Sequence, residues 1–140
     1  MTTLDDAETK RRFAAGRVAR MATVRPDGRP HLVPIVFAVE GDAIYSGVDT
    51  KPKRSPELTR LANIRSNPNV TLLVDEYDDD WKTVWWVRAE GTASVEEQGP
   101  ERDRAFELLR EKYHQYREGV ESLGAAVVVR VSRWSGWAYE

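Results

Sequence analysis

VARMATVRPDGRPHLVPIVFAVEGDAIYSGV, residues 18–48, is the stretch from which the fold is read. Residues 18–25 form a strand of small and apolar side chains. Asp27-Gly28 sits between two such runs and marks a hairpin turn, because glycine takes positive φ without a steric penalty. HLVPIVFAV (31–39) is almost wholly apolar, the pattern of a strand buried on both faces. Pro34 deletes one ladder donor, which places it at an edge or a bulge. Glu40-Gly41-Asp42 then turns the chain into a third strand, 43–48. The expectation is a three-stranded antiparallel meander.

Upstream, residues 4–15 read as a short helix ending near Gly16. Lys10, Arg11 and Arg12 occupy its last turns, where cations suit the helix dipole. Downstream, Ser55 can cap a helix and Pro56 suits its first position. That helix runs to about Ser66, with Leu58, Leu61, Ala62 and Arg65 on one face, and Asn67-Pro68 stops it. Residues 70–75 are a fourth strand. An acidic loop, 76–81, leads to a long strand over about 83–96. From Trp85 this strand alternates: Val87, Ala89 and Ala93 on one side, Trp86, Arg88 and Glu90 on the other. Pro100 opens the longest helix, with a stripe of Phe106, Leu109, Tyr113, Tyr116 and Val120. Gly124 ends that region, residues 125–134 make a sixth strand and SGWAYE is a tail. The order predicts one α+β domain over 1–140: six mainly antiparallel strands curled into a small barrel, with flanking helices.

The totals exclude several classes. Hydrophobic residues make up 41% and charged residues 31% of the 140, as in globular proteins. The net charge is −2 and the pI about 5.8, so an anion site must be a local patch and nucleic acid is not an expected partner. There is no cysteine, hence no disulfide, thiolate metal site or cysteine nucleophile. That absence fits a cytoplasmic setting. The opening MTTLDDAETKRRF lacks an apolar run after a basic start, and no apolar stretch is long enough to span a bilayer.

Motifs for unaided catalysis are missing. His31 and His114 lack metal-ligand spacing, and G-x-S-x-G, H-E-x-x-H, G-x-G-x-x-G and P-loop patterns are absent. The Asp78-Asp79-Asp80 loop lacks EF-hand spacing and reads as solvated. An enzyme on this chain would therefore rely on a cofactor, with no obligate catalytic residue of its own; Tyr45 or water could donate a proton. Lys51, Lys53 and Arg54 stand ahead of the Ser55 helix start, with Arg60 further in. Cations beside free helix N–H groups suit a phosphate or carboxylate, while a solvated turn explains them equally well. Five tryptophans are many for this length. Trp85 reads as core. Trp86, on the opposite face, reads as interface or ligand cleft.

These blocks resemble a known family. Ala22-Thr23, Asp27-Gly28-Arg29-Pro30 and Pro34, then Leu61, Asn63, Ile64, Asn67 and Pro68, are similar to motifs of the pyridoxamine phosphate oxidase-like split β-barrel family. DDDWKTVWWVRAEGTASV (78–95) and RWSGW (133–137) resemble an actinobacterial branch associated with the deazaflavin coenzyme F-420. The resemblance covers about residues 12–140. It implies a homodimer with the cofactor at the interface, the ring near Thr23, Pro34 and Val36. It implies a phosphate clamp of Lys51, Lys53, Arg54 and Ser55, backed by Arg60 and Asn63.

F-420 carries a phosphodiester and an oligoglutamate tail, so it asks for a longer positive groove than FMN. Lys51, Lys53, Arg54 and Arg60, with Lys10, Arg11 and Arg12, exceed the need of one phosphate. The resemblance thus implies an F-420-dependent oxidoreductase passing hydride to a small unsaturated planar substrate. Trp86, Arg88, Arg133 and Trp134 are the candidates for the substrate side. FMN-dependent chemistry on the same fold and a non-catalytic flavin carrier are the alternatives.

Overall fold

The turn at Asp27-Gly28 forms as its residues require. Gly28 has φ 89° and Asp27 Oδ1 accepts from the Arg29 N–H at 3.0 Å. The computed structural model describes residues 1–49, 56–118 and 123–140. Strand β1 is Thr2–Thr3, β2 is Ala19–Val24 and β3 is Pro30–Ile35; β4 is Ala38–Glu40, β5 Ala43–Asp49, β6 Asn69–Glu76, β7 Trp85–Glu96 and β8 Leu123–Ala138. Helices α1 (Asp6–Ala15), α2 (Pro56–Ser66), α3 (Pro100–Lys112) and α4 (Gln115–Glu118) lie between them. This is the expected α+β split barrel, built on an antiparallel sheet with flanking helices.

The strand order is β3-β2-β6-β7-β8-β5-β4, with β1 added on β8. β2 and β3 form the expected hairpin, Ala22 opposite Leu32. The third strand does not continue that meander. HLVPIVFAV splits at Val36-Phe37, and its second half, β4, pairs with β5 at the far edge of the sheet. The step from Ile35 to Ala38 reaches at most about 10 Å, so the two sheet edges must approach each other there. The eight-stranded sheet therefore rolls up without closing, where six strands were expected. The expected tail is also strand, since β8 runs on to Ala138 against β7.

The split changes the expected burial. β3 is an edge strand, as Pro34 indicates, and Leu32 on it is 66% exposed. It is not buried on both faces, because among the described residues no layer covers its outer side. β5 and β8 are buried on both faces. Ile44, Val127 and Val129 join Phe13, Met21, Phe37, Leu72 and Val87 inside the barrel. Tyr45, Ala126 and Val128 pack outward against Phe106 and Leu109 of α3. Phe13 of α1 plugs the barrel, its ring 5.1 Å from Phe37 and 5.4 Å from Trp134.

The expected long helix breaks at Tyr113, which takes extended backbone (φ −120°, ψ 117°). Its hydroxyl lies 2.9 Å from the Arg17 carbonyl and 3.0 Å from the Phe37 carbonyl, and accepts from the Phe37 N–H at 3.2 Å. Those tertiary bonds outweigh continuing the helix. Val120 lies outside the described residues. On α2 the buried residues include Arg60, Leu61, Asn63 and Ile64, whereas Ala62 and Arg65 are exposed, so the inward face is rotated from the expected one. Among the described residues no helix is long and apolar enough to cross a membrane.

Candidate functional site

β2 alternates, turning Ala19, Met21 and Thr23 toward the barrel interior. α2 lies over this end and brings Asn63 to Thr23. The Asn63 Nδ2–H donates to Thr23 Oγ1 at 3.1 Å, and both residues are 2% exposed. Two of the expected cofactor residues are thus joined to each other in the interior. Across the hairpin Thr23 faces His31. Burial first, then the positive charges of Arg25 and Arg60, hold the His31 imidazole below its ordinary range. The charges of Arg25 and Arg60 make the local field at His31 positive.

Arg60 is 4% exposed, yet it reaches a cavity of about 160 Å³ shared with Pro34, Ile35, Val36, Ser46 and Tyr116. Pro34, Val36 and Arg60 were expected at the cofactor, and the fold does bring them together. The Ser46 hydroxyl donates to the Val36 carbonyl at 3.0 Å, which fixes the backbone of that wall. A guanidinium there suits a phosphate or another oxyanion. Lys51, Lys53, Arg54 and Ser55, expected in the clamp, lie outside the described residues.

Sequence reasoning missed Arg25, Ser46 and Tyr116. The hairpin register places His31 opposite Thr23, so the histidine was within reach of pattern reading. Ser46 and Tyr116 carry no such signal, because only the rolling of the sheet brings β5 and α4 to Pro34.

The cations of α1 have other partners. Lys10 pairs with Asp42 at 2.7 Å, while Arg11 and Arg12 each bond Glu8 at 2.6 Å, and Arg12 also pairs with Glu140. Hydrogen bonds from Arg11, then Arg12, pull the Glu8 carboxyl down to about 2. Arg11 and Arg12 line a larger cleft of about 560 Å³ with Arg17, Arg20, Asp75 and Trp85. Its walls carry both signs of charge.

The substrate-side candidates divide by strand parity. Trp86 and Arg88 share the outward face of β7, with the Arg88 guanidinium 5.0 Å from the Trp86 ring centroid. Arg133, opposite Glu90, is exposed on the same face, 3.9 Å from that carboxylate. Trp134 is not on that face. It pairs with buried Ala89, is 8% exposed and donates from Nε1–H to Asp42 Oδ1 at 3.0 Å, so its place is the core. Tyr45 is likewise buried, under α3. Trp85 packs on the core, as expected, with Arg12 5.5 Å above its ring. The acidic loop is exposed, and no group of metal-ligating side chains occurs among the described residues.

The family model for pyridoxamine 5'-phosphate oxidase matches residues 6–138, and the chain belongs to that family. None of the curated proteins matches it. Solved structures share the fold. A conserved hypothetical protein of Mycobacterium tuberculosis superposes with a TM-score of 0.78 at 23% identity, covering 98% of this chain and 86% of its own. An FAD-binding protein of Mesorhizobium loti gives 0.70 at 22% identity, covering 96% and 95%. The FAD-binding protein of Mycobacterium smegmatis gives 0.66 at 20%, covering 98% and 97%.

Proposed function

We propose that this member of the pyridoxamine 5'-phosphate oxidase family is an oxidoreductase that carries coenzyme F-420. It works as a homodimer and reduces a small, unsaturated, planar substrate. The observation that carries the reading is the buried Arg60 guanidinium at the cavity wall formed by Pro34 and Val36. Arg25 and Arg60 both act on neighbouring His31, a positive surrounding that favours a phosphate.

The cavity of about 160 Å³ is smaller than the roughly 300 Å³ of the smallest usual ligand sites. A flavin-sized ring therefore needs further walls, and a second copy lying on the exposed apolar β3 edge would supply them. When bound, the deazaflavin supplies hydride. Arg60 would hold the phosphate, Pro34 and Val36 would line the ring, and the positive row of Lys51, Lys53 and Arg54 would meet the rest of the anionic chain. Trp86, Arg88 and Arg133 would face the substrate. Their aromatic and cationic character suits a planar, electron-poor molecule.

The second reading is an ordinary flavin, FMN or FAD, and the two FAD-binding structural relatives favour it. A paired fluorescence titration of the purified chain with F-420 and with FMN and FAD separates them. Tight F-420 binding and weak flavin binding supports the proposal; the reverse order replaces it with the flavin reading. Arg60→Met should weaken the preferred cofactor by about tenfold or more, since a charge-assisted contact contributes roughly 1.5–3 kcal/mol. Unchanged affinity would move the phosphate elsewhere.

A further inference from the structure

A third cavity, of different chemistry, opens where the ends of β6 and β8 meet. Tyr77, Trp81, Val84, Trp137 and Tyr139 line an open pocket of about 130 Å³ with apolar walls. Tyr77 follows the end of β6, Trp81 opens the 3₁₀ turn Trp81–Thr83, and Trp137 and Tyr139 come from the end of β8. Tyr77 is 67% and Trp81 63% exposed, an unusual outlay of aromatic surface for side chains with no structural need of it. Neither contributes to the two buried cores.

The pocket is preformed. The Trp137 and Tyr139 rings stand perpendicular, at 88°, with centroids 6.5 Å apart. The Tyr139 N–H donates to the Val84 carbonyl at 3.0 Å, which ties the end of β8 to the turn. Asp80 Oδ1 caps that turn by accepting from the Lys82 N–H at 3.2 Å, and the Thr83 hydroxyl donates to the Asp80 carbonyl at 3.0 Å. The Tyr77 hydroxyl donates to Asp79 Oδ1 at 3.3 Å, which turns that ring along the loop.

Charge selects the ligand. Asp78, Asp79 and Asp80 lie on the loop between Tyr77 and Trp81, whereas Asp75 and Glu76 line the arginine-walled cleft. No ion pair among the described residues engages any of these carboxylates; Lys82 is the one cation within the 75–84 segment. Aromatic faces are themselves negative and attract a cation, most strongly where it is desolvated. A bare metal ion does not suit apolar walls, and no metal-ligating group occurs among the described residues. The cavity is too small for a fused ring system but suits one compact head group.

We propose that this aromatic pocket binds a small organic cation of the quaternary-ammonium class, independently of the cofactor site. The rings supply the cation–π walls, and the acidic loop supplies a long-range field that draws the cation in. Trp137 stands opposite Trp86 across the β7–β8 ladder, but no residue of the pocket lines the cavity around Arg60, so cation binding and cofactor binding are read separately.

The test is a titration of the full chain with tetramethylammonium chloride, and with tert-butanol as its neutral isostere, at matched ionic strength. The indole N–H resonances of the tryptophans provide the signal. The expected result is a saturable shift of the Trp81 and Trp137 resonances, with the cation bound at least about tenfold more tightly than the alcohol. Trp81→Leu keeps an apolar side chain but removes the ring face, and should weaken the cation about tenfold while leaving the alcohol unchanged. Asp79→Asn with Asp80→Asn should weaken the cation alone. Equal binding of cation and alcohol, absence of saturation, or full cation affinity in Trp81→Leu would each overturn the proposal. Trp81 is outside both cores, so its replacement leaves the fold intact, and unchanged indole resonances of Trp85, Trp86 and Trp134, which do not line the pocket, verify this.

Discussion

Lys112 donates from Nζ to the Ala14 carbonyl at 3.0 Å and lies 3.9 Å from the centroid of the Phe37 ring. It locks the end of α3 to the end of α1. Burial first, then the charge of Arg17, pulls its ammonium down to about 8 from the ordinary 10.5. Between those values the unfolded chain binds more protons than the folded one, so this group makes the unfolding free energy rise with pH across that window. Below about pH 8 both states are charged and its contribution is flat. Burial raises the Tyr113 hydroxyl above its ordinary 10.0, which acts in the opposite sense at higher pH. Urea midpoints should therefore climb between about pH 8 and 9.5, and Lys112→Met should flatten the climb. A slope unchanged in Lys112→Met would assign the effect to another group. At this scale the sequence was a partial guide. Asn63, Pro34 and Val36 were legible through the family motifs, but nothing local told that Lys112 or Tyr113 would meet Phe37.

Elements obey their local patterns until a neighbour overrides them. β7 alternates as its sequence requires, and it pairs with β8 along its whole length. The register between them shifts between Glu90 and Gly91. Gly91 is there because of close approach: a Cβ on it would lie 2.0 Å from the Arg130 carbonyl oxygen and 2.8 Å from the carbonyl carbon. Backbone cannot swing aside as a flexible side chain can. Gly91→Ala should lower stability by about 1–3 kcal/mol or more, read as a drop in Tm with the β-sheet circular dichroism retained. A variant as stable as the parent would mean that the bulge can relax. The two all-apolar runs make the same point. HLVPIVFAV and AAVVVRV look alike, but the second lies between the barrel interior and α3, while the first splits and ends on an edge. Periodicity reports how apolar a strand is, not which layer will cover it.

At the scale of the molecule, one rolled sheet whose apolar edge is uncovered among the described residues invites a partner. Leu32, Pro34 and Val18 are exposed where strand patterning asks for burial. On the proposed reading a second copy covers them and completes the cofactor site. Leu32→Glu should then turn a dimer into a monomer by light scattering and lose cofactor affinity in the same step, because a charge in a buried interface is costly. A monomeric parent protein would dismiss the shared site. A dimer unaffected by the substitution would place the interface on another face.

Sequence alone was enough for the α+β class, the hairpin at Asp27-Gly28, the restriction of Pro34 to an edge or a bulge, the alternation of β7 and the family. Each of these is written in neighbouring residues, through turn chemistry, the missing proline donor and side-chain period. Only the tertiary structure decided that the chain crosses from one sheet edge to the other at Val36-Phe37. The same holds for the core position of Trp134, the break of the long helix at Tyr113 and the arrival of Ser46 and Tyr116 at the cavity of Arg60. Those outcomes depend on contacts between residues far apart in the chain, and a local pattern cannot encode which distant surface will supply them.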